Sequence, residues 1–385
     1  MAMKYPIGIQ SFERIREDGF VYVDKTALIY DLVQTGTIYF LSRPRRFGKS
    51  LLVSTLENYF LGRKELFRGL AIDSLEKEWA EYPVFHLDFN GKDFTDPLAL
   101  SQALETFVAK GEKIYGKDVL STTLGDRLAS VFAAAHEKTG RRVVVLIDEY
   151  DKPLLDVMNA GIESPVVSGE IKTLEDYNRE MLKGFYSVFK LADRHLRFVL
   201  LTGVTKFSQI SVFSGFNQPD DISHDGRYDT LCGISKEELL EVFNEQIKEL
   251  GEKNGLSVEE TMDKLKRKYD GYHFSEGMID VFNPFSLLNC LAKGQFKDYW
   301  FATGTPTYLM RLMVDSHVNV NELAGREYDA SEFVDYKATK QKPLPMLYQS
   351  GYFTIKGYDA EFDLYRLDFP NEEVRSGMVS LAPAD

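Results

Sequence analysis

Residues 38–54 read IYFLSRPRRFGKSLLVS, and their order decides the fold. Ile38, Tyr39, Phe40 and Leu41 form an apolar, β-prone run that enters a polar loop, SRPRRFGKS. A helix-like pattern follows at once through Leu51, Leu52, Thr55, Leu56, Tyr59 and Phe60, and Gly62 stops it. A strand, a loop ending in Gly-Lys-Ser and a helix give the context a phosphate-binding loop needs. Backbone N–H groups at the helix start face an anion there, helped by the helix dipole. Lys49 then reaches β/γ-phosphates and the Ser50 hydroxyl holds Mg²⁺. The nucleotide-contacting set expected from this stretch is Arg46, Phe47, Gly48, Lys49, Ser50 and Leu51. One position departs from the usual pattern: six residues before the Lys, where Gly is normal, stands Arg43.

The second half of the motif lies a hundred residues on, in RRVVVLIDEYDKPL. Val143 to Ile147 is an unbroken aliphatic run, as in a strand buried on both faces of a parallel sheet, and it ends in Asp148-Glu149. Ligands of open α/β sheets sit at the carboxyl ends of strands, so both acids are expected in the crevice that holds Lys49. Asp148 is the candidate Mg²⁺ ligand beside Ser50. Glu149 is the candidate base that orients and deprotonates an attacking water. A further buried strand, Arg197 to Leu201, runs into Thr202-Gly203-Val204-Thr205-Lys206. In ATPases with a glutamate beside the Mg²⁺ aspartate, a strand inserted between the two motif strands carries a polar sensor of the γ-phosphate. Thr202 or Thr205 fits that role, and Lys206 and Arg227 are candidate cations for transition-state charge.

Composition sets the class. The 385 residues suffice for two or three domains, and 44% hydrophobic with 27% charged residues is ordinary for a soluble globular chain. Net charge is −13, so any nucleic-acid contact needs a local basic patch. The two cysteines, Cys232 and Cys290, sit among apolar neighbours and read as buried, reduced thiols of a cytoplasmic protein. No apolar run of about 18 residues is present, so no membrane partner is expected.

Outside the two motifs the pattern alternates strands and helices. PVFHLDF (83–89) reads as a strand, and helices are expected at about 97–116, 126–138 and 172–193. Asp24 is placed to cap a helix through Leu28, Ile29, Leu32 and Val33. Ser235-x-x-Glu238 and Ser257-x-x-Glu260 are capping boxes that open successive helices, and the second ends in the basic run Lys264 to Lys268. Asn283-Pro284-Phe285 starts another helix. Near the end, a short helix to Ser350, a strand at 351–355, a turn at 357–360 and a strand at 362–367 suggest a winged helix with a two-stranded wing.

FVYVDKT, SRPRRFGKSLL, LIDEYDKPL, LTGVTKFS, YDGYHF, NPFSLL, YWFATGTPTYL and LYQSGYFTI…FPNEEV together resemble the bacterial AAA-ATPase-like family, over essentially residues 5–378. It is a relative of the archaeal-ATPase and signal-transducing P-loop ATPases. RPRRFGKS, with Arg43 in place of Gly, is the family's own form. The resemblance implies an α/β fold: a P-loop NTPase parallel sheet sandwiched by helices, followed by a helical lid and a C-terminal winged helix. It places an ATPase core at 1–232, the lid at 233–300, the winged-helix-like part at 301–378 and a tail at 379–385. Members commonly continue into a PD-(D/E)xK nuclease-like domain, which is expected to be missing here. The expected function is ATP- and Mg²⁺-dependent hydrolysis by a molecular switch. The alternatives are a nucleotide-gated binding adaptor, or a DNA-binding regulator, without significant turnover. Nucleotide is the expected partner; DNA or a partner protein at the winged helix, and nucleotide-dependent self-association, are further candidates.

Overall fold

The computed structural model describes residues 3–165, 171–207, 219–303, 305–334 and 342–381. The chain divides into two compact units. One comprises Ile29–Leu41 and Thr55–Asp221, the other Met1–Leu28, Ser42–Ser54 and Ile222–Asp385.

The first unit is built on a parallel sheet. Its strands are β1 (Ile38–Ser42), β2 (Val84–Asp88), β3 (Val143–Asp148), β4 (Leu196–Gly203) and β5 (Asp220–Asp221), in the order β2-β3-β4-β1-β5. β4 is thus inserted between the two motif strands, as the sequence led us to expect. Every residue of β3 is buried, which explains its unbroken aliphatic run: helices cover both faces, so no position needs a polar side chain. On one face Phe85 of β2 packs edge-on to Phe107 and Phe132, from the helices Ala99–Tyr115 and Leu124–Thr139. Phe198 of β4 lies on the other face and meets Phe60 of the helix Lys49–Phe60. The expected helix 172–193 is two pieces, Leu174–Tyr186 and Val188–Leu191, parted at Ser187, whose hydroxyl donates back to the Gly184 carbonyl. Asp88 and Asp148 are register partners at the ends of β2 and β3. Parallel pairing puts the carboxyl ends of all these strands on one edge.

The second unit has a helical core. Leu239, Phe243, Ile247 and Leu250 from the helix Lys236–Asn254 pack with Leu265 and Tyr269 from Val258–Tyr269, and with Leu287 and Cys290 from Pro284–Lys293. Both capping boxes form, on Ser235 with Glu238 and Ser257 with Glu260, and Asn283 caps its helix as read. Asp24 accepts the N–H of Thr26, the first residue of the helix Thr26–Thr35. Cys232 and Cys290 are both buried. A small ribbon, β6 (Ile234–Ser235) with β7 (Val281–Phe282), precedes the last segment. That segment differs from expectation: it holds three strands. β8 (Arg326–Asp329), β9 (Thr354–Asp359) and β10 (Leu364–Asp368) form an antiparallel sheet in the order β8-β10-β9, with the short helix Leu344–Gln349 before β9 and the helix Glu372–Leu381 after β10. β8, REYD, has no buried residue and so carries no apolar alternation to announce it.

Candidate functional site

The loop of the opening stretch begins where β1 ends. Gly48 has φ +95°, and nothing lies within 4 Å of where a Cβ would stand, so the backbone turns there with an open side. Arg46, with φ +62°, holds a left-handed conformation that costs an ordinary residue about 1–2 kcal/mol. Such strain persists only where the surroundings enforce it, and the surroundings are on hand. The Arg46 guanidinium lies 4.4 Å from the Phe285 ring centre. Phe47 is 1% exposed and meets Tyr272 and Phe274 edge-on, and its carbonyl accepts the N–H of Gly233 at 3.1 Å. The Arg45 carbonyl accepts the Trp300 indole N–H at 3.0 Å. Gly351, φ +85°, comes so close that a Cβ would stand 2.7 Å from the Pro44 ring. NPFSLL, YDGYHF, YWFATGTPTYL and LYQSGYFTI therefore meet at one place, on the loop; Gly304 of the third lies outside the described residues.

Arg43 explains its departure from the glycine pattern. Its buried guanidinium donates to the carbonyls of Ser42, Ser223 and Tyr228, at 2.9, 2.8 and 3.1 Å. It also stacks over Phe274, 4.0 Å from the ring centre. The residue ties the loop to the segment 223–228 by backbone contacts that only a planar, multi-donor fork satisfies. Lys49 is buried and donates to the carbonyls of Arg43 and Pro44, at 3.0 and 3.2 Å. The loop wraps its own ammonium, and Ser50 follows it into the first turn of the helix, with Leu51 next.

In the sheet unit, the end of β3 forms a second cluster. Asp148 is 2% exposed; its Oδ1 accepts the Thr202 hydroxyl at 2.6 Å and the Glu149 N–H at 3.1 Å. Asn90, just beyond β2, approaches its Oδ2 at 3.4 Å. Sequence reading missed Asn90; its position two residues past a strand end was the available signal. Glu149 is half-buried and holds φ +53°, again unusual for a residue other than glycine. Thr202 thus joins Asp148. Thr205 joins a different acid: its N–H and hydroxyl donate to Asp151 Oδ2 at 2.6 and 2.7 Å, alongside the Val204 N–H at 2.9 Å. The Tyr150 hydroxyl donates to the Thr205 carbonyl at 2.8 Å. Tyr150 and Asp151 accordingly brace the turn after β4, a role that no spacing signal announced. Lys206 lies 2.7 Å from Asp221, and the exposed Arg227 forks onto Asp225, whose carboxyl it holds below the usual range. Both candidate cations face acids of their own.

A family model described as "Predicted AAA-ATPase" matches residues 6–213. A protein of Azotobacter chroococcum mcd 1, named "Uncharacterized protein in vnfD 5'region", is 37% identical over 379 residues, covering 97% of this chain and 69% of that one. The matched span holds the strained loop before Lys49 and the acidic end of β3. By these likenesses the chain belongs to the predicted AAA-ATPase family.

Proposed function

We propose that the chain is a Mg²⁺-dependent ATPase that works as a molecular switch, with the loop at Arg46 to Leu51 binding nucleotide phosphates and the acids at the end of β3 serving Mg²⁺ and the attacking water. The observation that carries this reading is the pair of strand ends: a Gly-Lys-Ser helix start after β1 and Asp148-Glu149 ending β3, with β4 between them. The chemistry of the residues fits the group. Lys49, Ser50 and the N–H groups of a helix start are donors for phosphate oxygens. Asp148, the last residue of β3, accepts the Thr202 hydroxyl. Among the described residues, no three His, Cys, Asp or Glu cluster to hold a metal on their own. Asp148 would hold Mg²⁺ as a carboxylate ligand, with hydroxyl, phosphate and water oxygens, the ion's usual company, as the others. Bound there, it supplies charge neutralisation at the phosphates.

Glu149 is the base in this reading. Its backbone strain fits a residue whose placement matters for chemistry. Thr202 keeps Asp148 oriented. Thr205 braces the turn through Asp151, and in this reading the turn as a whole carries the sensor role. The helices of 233–300 form the lid. The final sheet with the helix Leu344–Gln349 is read as a winged helix, its third strand β8 pairing with β10. Bound ATP orders these parts against the loop and hydrolysis releases them, since γ-phosphate contacts distinguish the two states.

The test uses two variants of the full chain. Lys49→Ala removes the point charge on the phosphates, and calorimetry is expected to find ATP binding lost; unchanged affinity overturns the loop assignment. Glu149→Gln keeps size and hydrogen bonding while removing the base. ATP is expected to bind and persist, with phosphate release slowed about 10²–10⁴-fold. Turnover within threefold of wild type means that Glu149 is not the base and makes Asp151 the next candidate, whereas a wild-type chain that binds ATP and releases no phosphate belongs to the adaptor reading, in which nucleotide is held without useful hydrolysis.

A further inference from the structure

The helix Glu372–Leu381 opens on Asn371, whose side chain accepts the N–H of Val374 at 3.1 Å. That cap places Glu373 in the first turn, facing inward and 1% exposed. Its carboxylate accepts three donors: the Ser286 hydroxyl at 2.7 Å, the Trp300 N–H at 2.7 Å and the Phe301 N–H at 3.2 Å. Burial pushes its pKa up to about 7, against those hydrogen bonds. A carboxylate is a costly group to put there unless its partners need it.

Those partners are the ones that hold the loop. Trp300 gives its indole N–H to the Arg45 carbonyl. Ser286 stands next to Phe285, whose ring carries the Arg46 guanidinium. Ser286 also accepts the Trp300 N–H at 3.0 Å, so the helix Pro284–Lys293 and the turn at 300 are tied to each other as well as to Glu373. One carboxylate thereby fixes two of the contacts that surround the left-handed turn at Arg46, those of Trp300 and Phe285.

We propose that Glu373 is a positioning residue for the phosphate loop, acting through Trp300 on Arg45 and through the start of the helix Pro284–Lys293 on Arg46. The loop keeps its strained form because a helix more than three hundred residues further along the chain holds it. Displacement of that helix loosens the loop. The consequence for nucleotide affinity rests on the phosphate-loop reading above; the bracing of the loop does not.

The experiment uses the full chain and four variants: Glu373→Ala, Glu373→Gln, Trp300→Phe and the Ala/Phe double. Hydrogen exchange over residues 43–52 without nucleotide is the first readout, and MgATP affinity the second. Glu373→Ala and Trp300→Phe are each expected to speed exchange in the loop and weaken MgATP about tenfold, the weight of one hydrogen bond. Because both break one link, the double variant is expected to be no worse than the more affected single. Glu373→Gln restores most of the protection, since its amide oxygen accepts the two backbone N–H groups and its NH₂ donates to Ser286. A merely structural role would raise exchange in β9 and β10 as much as in the loop. That uniform rise, unchanged loop exchange in Glu373→Ala, or a multiplied effect of about a hundredfold in the double, overturns the proposal. Should Glu373→Ala not fold, Trp300→Phe decides by the same loop exchange. If wild type and Lys49→Ala bind MgATP equally, the nucleotide reading falls while exchange still decides the role of Glu373.

Discussion

A single arginine shows how this loop replaces a missing glycine. Where a glycine would have let the backbone turn freely, Arg43 turns inward and binds three carbonyls. Truncation to Ala leaves those buried oxygens without their donor and removes the stacking on Phe274. We expect Arg43→Ala to cost about 2–4 kcal/mol, read as a lower urea midpoint. Arg43→Lys should recover little of it, since one ammonium cannot span three directions. A loss under 1 kcal/mol for either would mean that the guanidinium does not hold the segment 223–228. Glu373 offers a second test at this scale. Its folded pKa near 7 lies above the ordinary carboxyl value, with burial the main cause and Asp298 adding to it. A raised carboxyl favours the folded state while protonated, so its contribution is full below about pH 4.5 and is lost as pH rises to about 7. Glu373→Gln removes the titration. The stability of that variant relative to wild type should therefore climb between these pH values, by at most about 3 kcal/mol, and stay level above pH 7. A flat difference would show that the carboxyl does not titrate with folding.

Among the elements, those with strong local signals were legible. β1 and β3 announce themselves by unbroken apolar runs because both faces are covered, and the capping boxes fix two helix starts by side chains three residues apart. β5 is two aspartates and β8 an exposed REYD; neither carries periodicity, so neither could be read. The candidate site follows the same rule. Lys49, Asp148 and Glu149 follow from strand ends. The bracing of the loop by Phe285, Trp300 and Gly351 joins residues more than two hundred positions apart, and no spacing rule reaches that far. Phe47 measures how much that bracing matters. Its ring is in contact with Tyr272 and Phe274, and Phe47→Ala should cost about 3–5 kcal/mol. The sheet unit provides the control: near-ultraviolet and exchange signals from β3 and β4 should move less than those of β9 and β10. Equal loss in both would mean that Phe47 serves the whole chain rather than the loop.

At the scale of the molecule, charge decides whether nucleic acid is a partner. The chain carries −13, and its densest basic run, Lys264 to Lys268, is already engaged. Lys266 faces Asp280, Arg267 faces Glu372, Lys268 faces Asp298, and Lys264 sits over the Phe296 ring. The sheet β8-β10-β9 is no richer. Lys356 is turned inward, donating to the carbonyls of Gly271 and Pro370, and burial lowers its pKa. Arg366 donates to the Lys356 carbonyl, and Asp359, Glu361, Asp363 and Asp368 share its hairpin. Lys342 remains, while Lys337 and Lys340 lie outside the described residues. A duplex reader needs cations for phosphate contacts, and each contact steepens the salt dependence of binding by about 0.9 in the log–log slope. We therefore expect the full chain to bind duplex DNA weakly, with a slope of about 2 or less, whether MgATP is present or not. A slope of 5 or more would mean that the paired cations leave their acids for phosphate and would move the DNA-regulator reading ahead of the switch. Weak, salt-insensitive binding keeps the DNA-regulator reading behind the switch.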